Sequence, residues 1–276
     1  MNERILPVNG VELCVETFGD PTDPAILLIH GACASMLWWE TELCDRIAAC
    51  GRFVIRYDQR DTGRSTSYPP GSPGYTLTDL TNDAIGLLDA LDIPRAHIVG
   101  RSMSGAIALT AGVDHPDRVA SLTFVNTTTG DDDLPPPSGD FPDDTPDLTD
   151  STAVVEYIVN TLRAYAGTSA LFDVDATRAL ATLDVERTVN IKSALSNHFL
   201  IDFGGPVAGG FADITAPTLV VHGEIDPLFP FSHGKALRDA IPGAALVVLA
   251  GTGHDVPRGR WHEFVTSLIR HTDVTP

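Results

Sequence analysis

The chain has 276 residues, 43% of them apolar, which excludes wholesale disorder and suffices for one large domain or two small ones with a core that needs no staples. No run of about 18 apolar residues occurs, so no transmembrane helix is expected. With 37 acidic against 18 basic residues, net charge −19, the field repels phosphate backbones and anionic lipid, so neither nucleic acid nor a membrane is an expected partner.

The first residues, Met1 to Pro7, lack a basic segment followed by an apolar one, so no secretion signal is expected. The cysteines Cys14, Cys33, Cys44 and Cys50 form no CxxC pair and no pattern with histidines. No metal site is therefore expected, and reduced thiols in a cytoplasmic protein are the default.

Residues 10–18 alternate apolar and polar, as in a half-exposed antiparallel strand. After a turn at Asp20-Pro21 and Asp23-Pro24, residues 25–30 form a short apolar run, the sign of a strand buried on both faces. A helix is expected over roughly 35–50 and a strand over 53–57. Residues 78–91 carry helical spacing (Leu80, Ala84, Leu87, Leu88, Leu91), with Thr78 as N-cap. A buried strand over 96–100, a small-residue helix over 104–115 stopped by Pro116, and a strand over 122–125 follow. Later come a strand over 218–222, a helix near 232–240, a strand over 245–249 and a helix near 257–271. This alternation implies an α/β fold: a mostly parallel central sheet flanked by helices.

The rhythm breaks between Asn126 and Pro217. Residues 131–150 hold eight aspartates, five prolines and no basic residue, a composition for a solvated, extended linker. Residues 151–203 give two or three helical stretches. The expected division is a core of 1–126 and 213–276, with an acidic, Pro-rich linker and helical cap at 127–212. Such an insert usually lies over the carboxyl ends of the strands, where open α/β sheets bind ligands.

The chemistry concentrates on loops that follow buried strands. Gly100-Arg101-Ser102-Met103-Ser104-Gly105 joins a strand to a helix, the setting of a nucleophile elbow. The turn is tight, so small residues are needed two positions before and after Ser102; Gly100 and Ser104 qualify. A helix N-terminus favours developing negative charge, so Ser102 is the candidate nucleophile and the Met103 amide a candidate oxyanion donor. A plain tight turn would read the same way. His30-Gly31-Ala32 follows the first buried strand, where the Ala32 amide would supply the second donor. His30 is expected to brace that loop and Cys33 to act as a small hydrophobe near the pocket.

Asp226, in Gly223-Glu224-Ile225-Asp226-Pro227 just past a strand, is the candidate acid. Glu224 is the rival, expected to point to solvent; an acid after the earlier strand would fall near Asn126 or Asp131. His254 lies on Gly251-Thr252-Gly253-His254 after the last core strand and is the candidate base. His262 and His271 fall on the final helix and are expected at the surface. The order Ser102, Asp226, His254 is the one this architecture requires. The charged stretch Asp58-Gln59-Arg60-Asp61-Thr62-Gly63-Arg64-Ser65 is expected to be structural, with substrate contact the lesser reading.

These motifs in order resemble the α/β-hydrolase superfamily over nearly the whole chain. Glu3-Arg4-Ile5, residues 18–24, Ile55 to Thr66, Arg95 to Gly100 and Ser232 to Lys235 are similar to the aclacinomycin methylesterase-like esterases, which remove methyl esters from anthracycline polyketides. The resemblance implies an α/β-hydrolase fold with a Ser102, Asp226, His254 triad, oxyanion amides at Ala32 and Met103, and no cofactor. Ser104 departs from the pattern, which has glycine there. Residues 127–212 show no traceable likeness, so the substrate does not carry over.

The expectation is a serine hydrolase acting on a hydrophobic small-molecule or polyketide-like carboxylic ester through an acyl-enzyme. Cys33, Trp38, Tyr157 and Phe199 are candidates for its pocket, and the protein is expected as a monomer or homodimer. The alternatives are acyl transfer, perhydrolysis, C–C cleavage or cyclisation at the same site, or a ligand-binding pseudoenzyme. Epoxide hydrolase and haloalkane dehalogenase chemistry is excluded, because both use an aspartate where this chain has Ser102.

Overall fold

The computed structural model describes residues 3–142 and 145–273. It opens with a hairpin that the sequence reading did not include. β1 (Arg4–Val8) and β2 (Val11–Phe18) pair antiparallel with Val8 opposite Val11, so Asn9 and Gly10 alone turn the chain, at φ 48° and 80°. Two positive φ values make a turn whose twist matches its strands, and Asn-Gly is its strongest signal. Pro7 is tolerated because β1 is an edge strand.

β2 pairs antiparallel with β4 (Phe53–Tyr57). From there the sheet is parallel through β3 (Ala25–Ile29), β5 (Ala96–Arg101), β6 (Val119–Val125), β7 (Thr218–Gly223) and β8 (Ala245–Leu249). The spatial order is β1-β2-β4-β3-β5-β6-β7-β8.

The continuous apolar runs are buried because helices cover both faces. Leu27, Ile29, Ile55, Ile98 and Val220 pack with residues of α2 (Leu77–Ala90), α3 (Ser104–Asp114) and α7 (Ser232–Ala240). The alternating set Ile26, Leu28, Val54, Val99 and Val221 packs with α1 (Thr41–Ala48) and α8 (Trp261–Thr272) on the other face. The period of two along each strand thus feeds two cores, and each fully buried Leu, Ile or Phe contributes roughly 1.5–3 kcal/mol.

Three boundaries differ from expectation. The helix expected over 35–50 is a 3₁₀ turn (Met36–Trp38) followed by α1, broken at Trp39 and Glu40. The N-cap of α2 is Thr76 rather than Thr78: Thr76 and Asp79 satisfy each other's amides in a reciprocal capping box, which starts the helix at Leu77. The last helix begins at Trp261, after a 3₁₀ turn that follows Pro257.

Between β6 and β7 come α4 (Ser151–Ala166), α5 (Val174–Arg187), the short α6 (Ile191–Ala194) and a 3₁₀ turn (Asn197–Phe199). α4 and α5 share a small core of Val155, Val159 and Ala181. Asp143 and Asp144 of the acidic stretch, like Met1 and Asn2, lie outside the described residues. The rest of that stretch carries neither helix nor strand before α4, yet it is tied down: the Ser138 amide donates to the Pro227 carbonyl at 2.8 Å, the His233 ring donates to the Pro135 carbonyl at 2.9 Å, and Phe141 lies edge-on to Tyr165. Among the described residues no helix is long and apolar enough to cross a membrane.

Candidate active site

Ser102 occupies the turn between β5 and α3 at φ 52°. A non-glycine residue there carries strain of order 1–3 kcal/mol, which persists only when its surroundings hold it. They do: its amide donates to the Val125 carbonyl (2.9 Å), and its own carbonyl accepts from the Gly105 amide (2.9 Å) and the Thr127 hydroxyl (2.7 Å). Gly100 is required, since a Cβ there would run into the Ser104 carbonyl. Gly31 is equally constrained: an added Cβ would lie 2.9 Å from the Ser102 Cβ.

His254 follows β8. Its amide donates to the Tyr165 carbonyl at the end of α4 (2.8 Å), and the Tyr165 and Phe229 rings each meet its imidazole edge-on at 5.4 Å. His254 as a residue is only 3% exposed. Nδ1 lies 2.7 Å from Asp226 Oδ2 and Nε2 lies 3.0 Å from Ser102 Oγ. A carboxylate only accepts, so Nδ1 carries the proton and the Nε2 lone pair faces the serine hydroxyl.

Asp226 follows β7. Its Oδ1 accepts from the Leu228 and Phe229 amides at 2.8 and 2.9 Å. Burial pushes its carboxyl up, but the charge and hydrogen bond of His254 and the Phe229 amide outweigh this and hold it below the ordinary carboxylate range. The arrangement can draw the Ser102 proton onto His254 while Asp226 compensates the imidazolium.

The rival acids stand elsewhere. Glu224 is exposed and accepts from the Gly251 amide. After β6 stands Asn126, whose amide group bonds the Gly223 amide and the Asp255 carbonyl, and Asp131 is exposed and bonded to Thr129. His262 is exposed as expected. His271 departs from expectation: it is half-buried and donates to the Leu122 carbonyl, because α8 packs that face onto the sheet.

His30 braces its loop through Arg101, which donates to His30 Nε2 at 2.9 Å and to the His254 carbonyl at 2.7 Å. Burial and the Arg101 charge pull the His30 pKa well below 6.5, so the ring is a neutral acceptor. The Ala32 and Met103 amides donate no hydrogen bond to any described residue, and both residues are half-buried. Burial pushes the Cys33 thiol up to about 12, which removes it as a thiolate.

Two expected pocket residues stand elsewhere. The Trp38 indole donates to Asp184 Oδ2 (2.7 Å) and the ring packs on the α4–α5 core, because its N–H needs a partner when half-buried. Phe199 sits on the surface, 64% exposed. Tyr157 is half-buried on α4, close enough to Tyr165 to influence its hydroxyl. The rings that do touch His254 are Tyr165, an aromatic of the cap whose type suits an apolar pocket, and Phe229, which sequence reasoning missed. The signal for Phe229 was its place three residues after Asp226, whose carboxylate captures the Phe229 amide. A separate hollow of about 450 Å³, lined by Glu3, Leu37, Arg64, Leu183, Glu186 and Arg187, shares no residue with this cluster.

The family model for the alpha/beta hydrolase fold matches residues 24–257. Rhodomycin D methylesterase DauP of Streptomyces sp. (strain C5) is 32% identical over 296 aligned positions, covering 99% of this chain and 98% of its own. Rhodomycin D methylesterase DnrP of Streptomyces peucetius is 30% identical with the same coverage. Among solved structures, the esterase RhEst1 from Rhodococcus sp. ECU1013 superposes with a TM-score of 0.76 at 20% identity, covering all of both chains, a likeness of fold. The motif order, the sheet and these matches agree, and the chain belongs to the α/β-hydrolase fold family of hydrolases.

Proposed function

We propose that the protein is a serine esterase that hydrolyses a neutral, hydrophobic carboxylic ester, in the class of methyl esters on polyketide-like ring systems. The observation that carries this reading is the relay of 3.0 Å from Ser102 Oγ to His254 Nε2 and 2.7 Å from His254 Nδ1 to Asp226 Oδ2. In the reading, His254 takes the Ser102 proton as Oγ attacks the ester carbonyl. The Ala32 and Met103 amides receive the oxyanion. His254 then protonates the departing alkoxide, and the acyl group remains on Ser102. Water, activated by the same imidazole, adds to the acyl carbon, and the acid leaves as Oγ regains its proton. Asp226 keeps the imidazole in the required tautomer throughout.

The substrate class rests on the surroundings and on the relatives. Tyr165 and Phe229 flank the base, and burial pushes the Tyr165 hydroxyl above its ordinary range, so it stays neutral. Arg101, the cation touching this cluster, is buried and engaged with His30 and the His254 carbonyl, so a carboxylate on the substrate gains no guanidinium from it. The two methylesterase relatives spanning the chain favour a methyl ester.

Intact-mass measurement after a small fluorophosphonate tests the nucleophile. One adduct per wild-type chain, absent in Ser102→Ala and slow in His254→Ala, is the expected result. A wild type that stays unlabelled and turns over neither aryl nor methyl esters overturns the reading.

A further inference from the structure

We propose that His198, carried by the segment between β6 and β7, is a positioning residue that sets the direction of the Ala32 amide. The inference rests on the esterase reading above and adds to it a residue from outside the core motifs.

The Ala32 N–H belongs to the peptide unit joining Gly31 to Ala32. Its direction is fixed if the peptide planes before and after it are fixed. The plane before carries the His30 carbonyl, which accepts from Gln59 Nε2 at 2.7 Å and from the Ser104 hydroxyl. The plane after carries the Cys33 N–H, which donates to His198 Nδ1 at 3.0 Å. Between these two clamps lies one peptide unit whose N–H has no partner among the described residues. Cys33 itself stands at φ 62°, a left-handed conformation that a non-glycine residue leaves unless it is held.

The chemistry of the imidazole fits the task. The Cys33 amide only donates, so Nδ1 must be the acceptor. Nε2 then carries the proton and donates to the Arg60 carbonyl at 2.9 Å, which only accepts. Both ring nitrogens are therefore used in one tautomer, and burial keeps the ring neutral by pulling its pKa below the ordinary value. The ring is locked from the side: Tyr75 meets it edge-on at 6.2 Å, and the Tyr75 hydroxyl and the neighbouring Asn197 amide both donate to Asp61 Oδ2, at 2.7 and 2.9 Å. The contact joins residues 165 apart in sequence. A residue of the segment between β6 and β7 thus holds the amide that follows the Ala32 peptide unit.

An asparagine and a glutamine separate this role from a packing role. The side-chain amide of asparagine reaches the level of Nδ1, and that of glutamine reaches the level of Nε2. His198→Asn keeps an acceptor for Cys33; His198→Gln keeps the Arg60 contact alone; His198→Ala removes both. For each, kcat and KM on a small ester, the inhibition constant of a trifluoromethyl ketone of the same acyl chain, and the melting temperature are measured. The ketone adds Oγ of Ser102 to its carbonyl, with the hydroxyl proton passing to His254, and leaves an oxyanion that tests the two amides.

Deleting an oxyanion donor outright lowers turnover by about 10²–10³, so a donor present but misdirected is expected to lower kcat by about 10- to 100-fold. The expected result is that loss in His198→Gln and His198→Ala, with KM within about twofold and ketone binding weakened in step, while His198→Asn recovers most of both. Equal kcat in the asparagine and glutamine variants, or losses that follow melting temperature alone, overturn the inference. A wild type inactive on esters and unlabelled by fluorophosphonate overturns the esterase reading and this inference with it; an active wild type matched by His198→Gln overturns the inference alone.

Discussion

Asp226→Asn is the substitution whose consequence the hydrogen bonds determine most tightly. The carboxylate is held by three donors. Oδ1 accepts from the Leu228 and Phe229 amides, and Oδ2 faces His254 Nδ1. In the variant the two backbone amides still need an acceptor, so the asparagine carbonyl oxygen must take the Oδ1 position. The –NH₂ group is then forced toward His254. Nδ1 can meet it only as an acceptor, which moves the ring proton to Nε2, facing Ser102 Oγ. An imidazole in that tautomer cannot take the serine proton. A loss of about 10⁴ in kcat is expected, as for a wrong-tautomer substitution in a serine triad, equivalent to about 5.4 kcal/mol of transition-state stabilisation. Stability should change little, by about 1 kcal/mol, because both backbone bonds survive. The assay is kcat/KM on a short-chain aryl ester, with the fluorophosphonate labelling rate and a denaturant melt alongside. A loss below about tenfold would refute the reasoning and point to Glu224 or Asp255 as the acid, which Glu224→Gln and Asp255→Asn would then separate.

A methyl group at Gly31 would sit 2.9 Å from Ser102 Cβ and 3.5 Å from its Oγ, so Gly31→Ala should lower turnover by at least about tenfold through a shifted nucleophile, with a melting curve close to wild type. An unchanged kcat would mean that the loop yields without moving Ser102. Acid acts on the protein through His97. His97 is 8% exposed, and burial, together with the charges of Arg52, His271 and Arg95, pulls its pKa from 6.5 to about 4. Between these values the unfolded chain binds a proton that the folded chain refuses, so the stabilisation is present above 6.5 and is lost as pH falls toward 4. The contribution to the slope reaches about 1.4 kcal/mol per pH unit. Urea midpoints measured from pH 7 to pH 4.5 should fall less steeply in His97→Gln than in wild type, and parallel slopes would contradict the assignment.

What could be read from the sequence follows from which interactions are local. The central strands announce themselves because both faces are covered, which makes runs such as Ala25–Ile29 and Thr218–Gly223 apolar throughout. β1 escaped because its core-facing and exposed residues are mixed and it contains Pro7, although Asn9-Gly10 marked the hairpin. Thr78 was a reasonable cap by residue type, but the reciprocal partner decides, and Asp79 lies three residues after Thr76. Ser102, Asp226 and His254 were legible because each stands on a short loop directly after a core strand, so chain order fixes their neighbourhood. The residues around them were not. Trp38 and Phe199 are aromatic, as pocket residues tend to be, but residue type does not say which way a ring faces. Trp38 turns to Asp184 for its indole N–H, and Phe199 faces solvent. His198 reaches Cys33 from the segment between β6 and β7, and no local pattern records a contact made across 165 residues.

The charged stretch after β4 shows why that segment and the core cannot be understood apart. Asp58 is fully buried and accepts from the Met36 and Arg64 amides and from Arg187 at the end of α5 (2.6 Å). Burial raises its carboxyl, and these donors only partly offset that. Asp61, three residues on, accepts from Tyr75 and Asn197. The Gly63 carbonyl accepts from the Val189 amide and the Tyr68 carbonyl from the Ser193 hydroxyl. Arg60, which pairs with buried Asp83, leaves its own carbonyl for His198. Every polar group named here binds another part of the chain, the loop hydrogen bonding expected of this stretch. Removing one member of such a buried set leaves its partner charged and unpaired, which typically costs about 3–5 kcal/mol. The loop is therefore the socket into which the segment between β6 and β7 is fixed, and because His198 leads from that socket to Cys33, the same contacts that dock the segment also shape the loop beside Ser102.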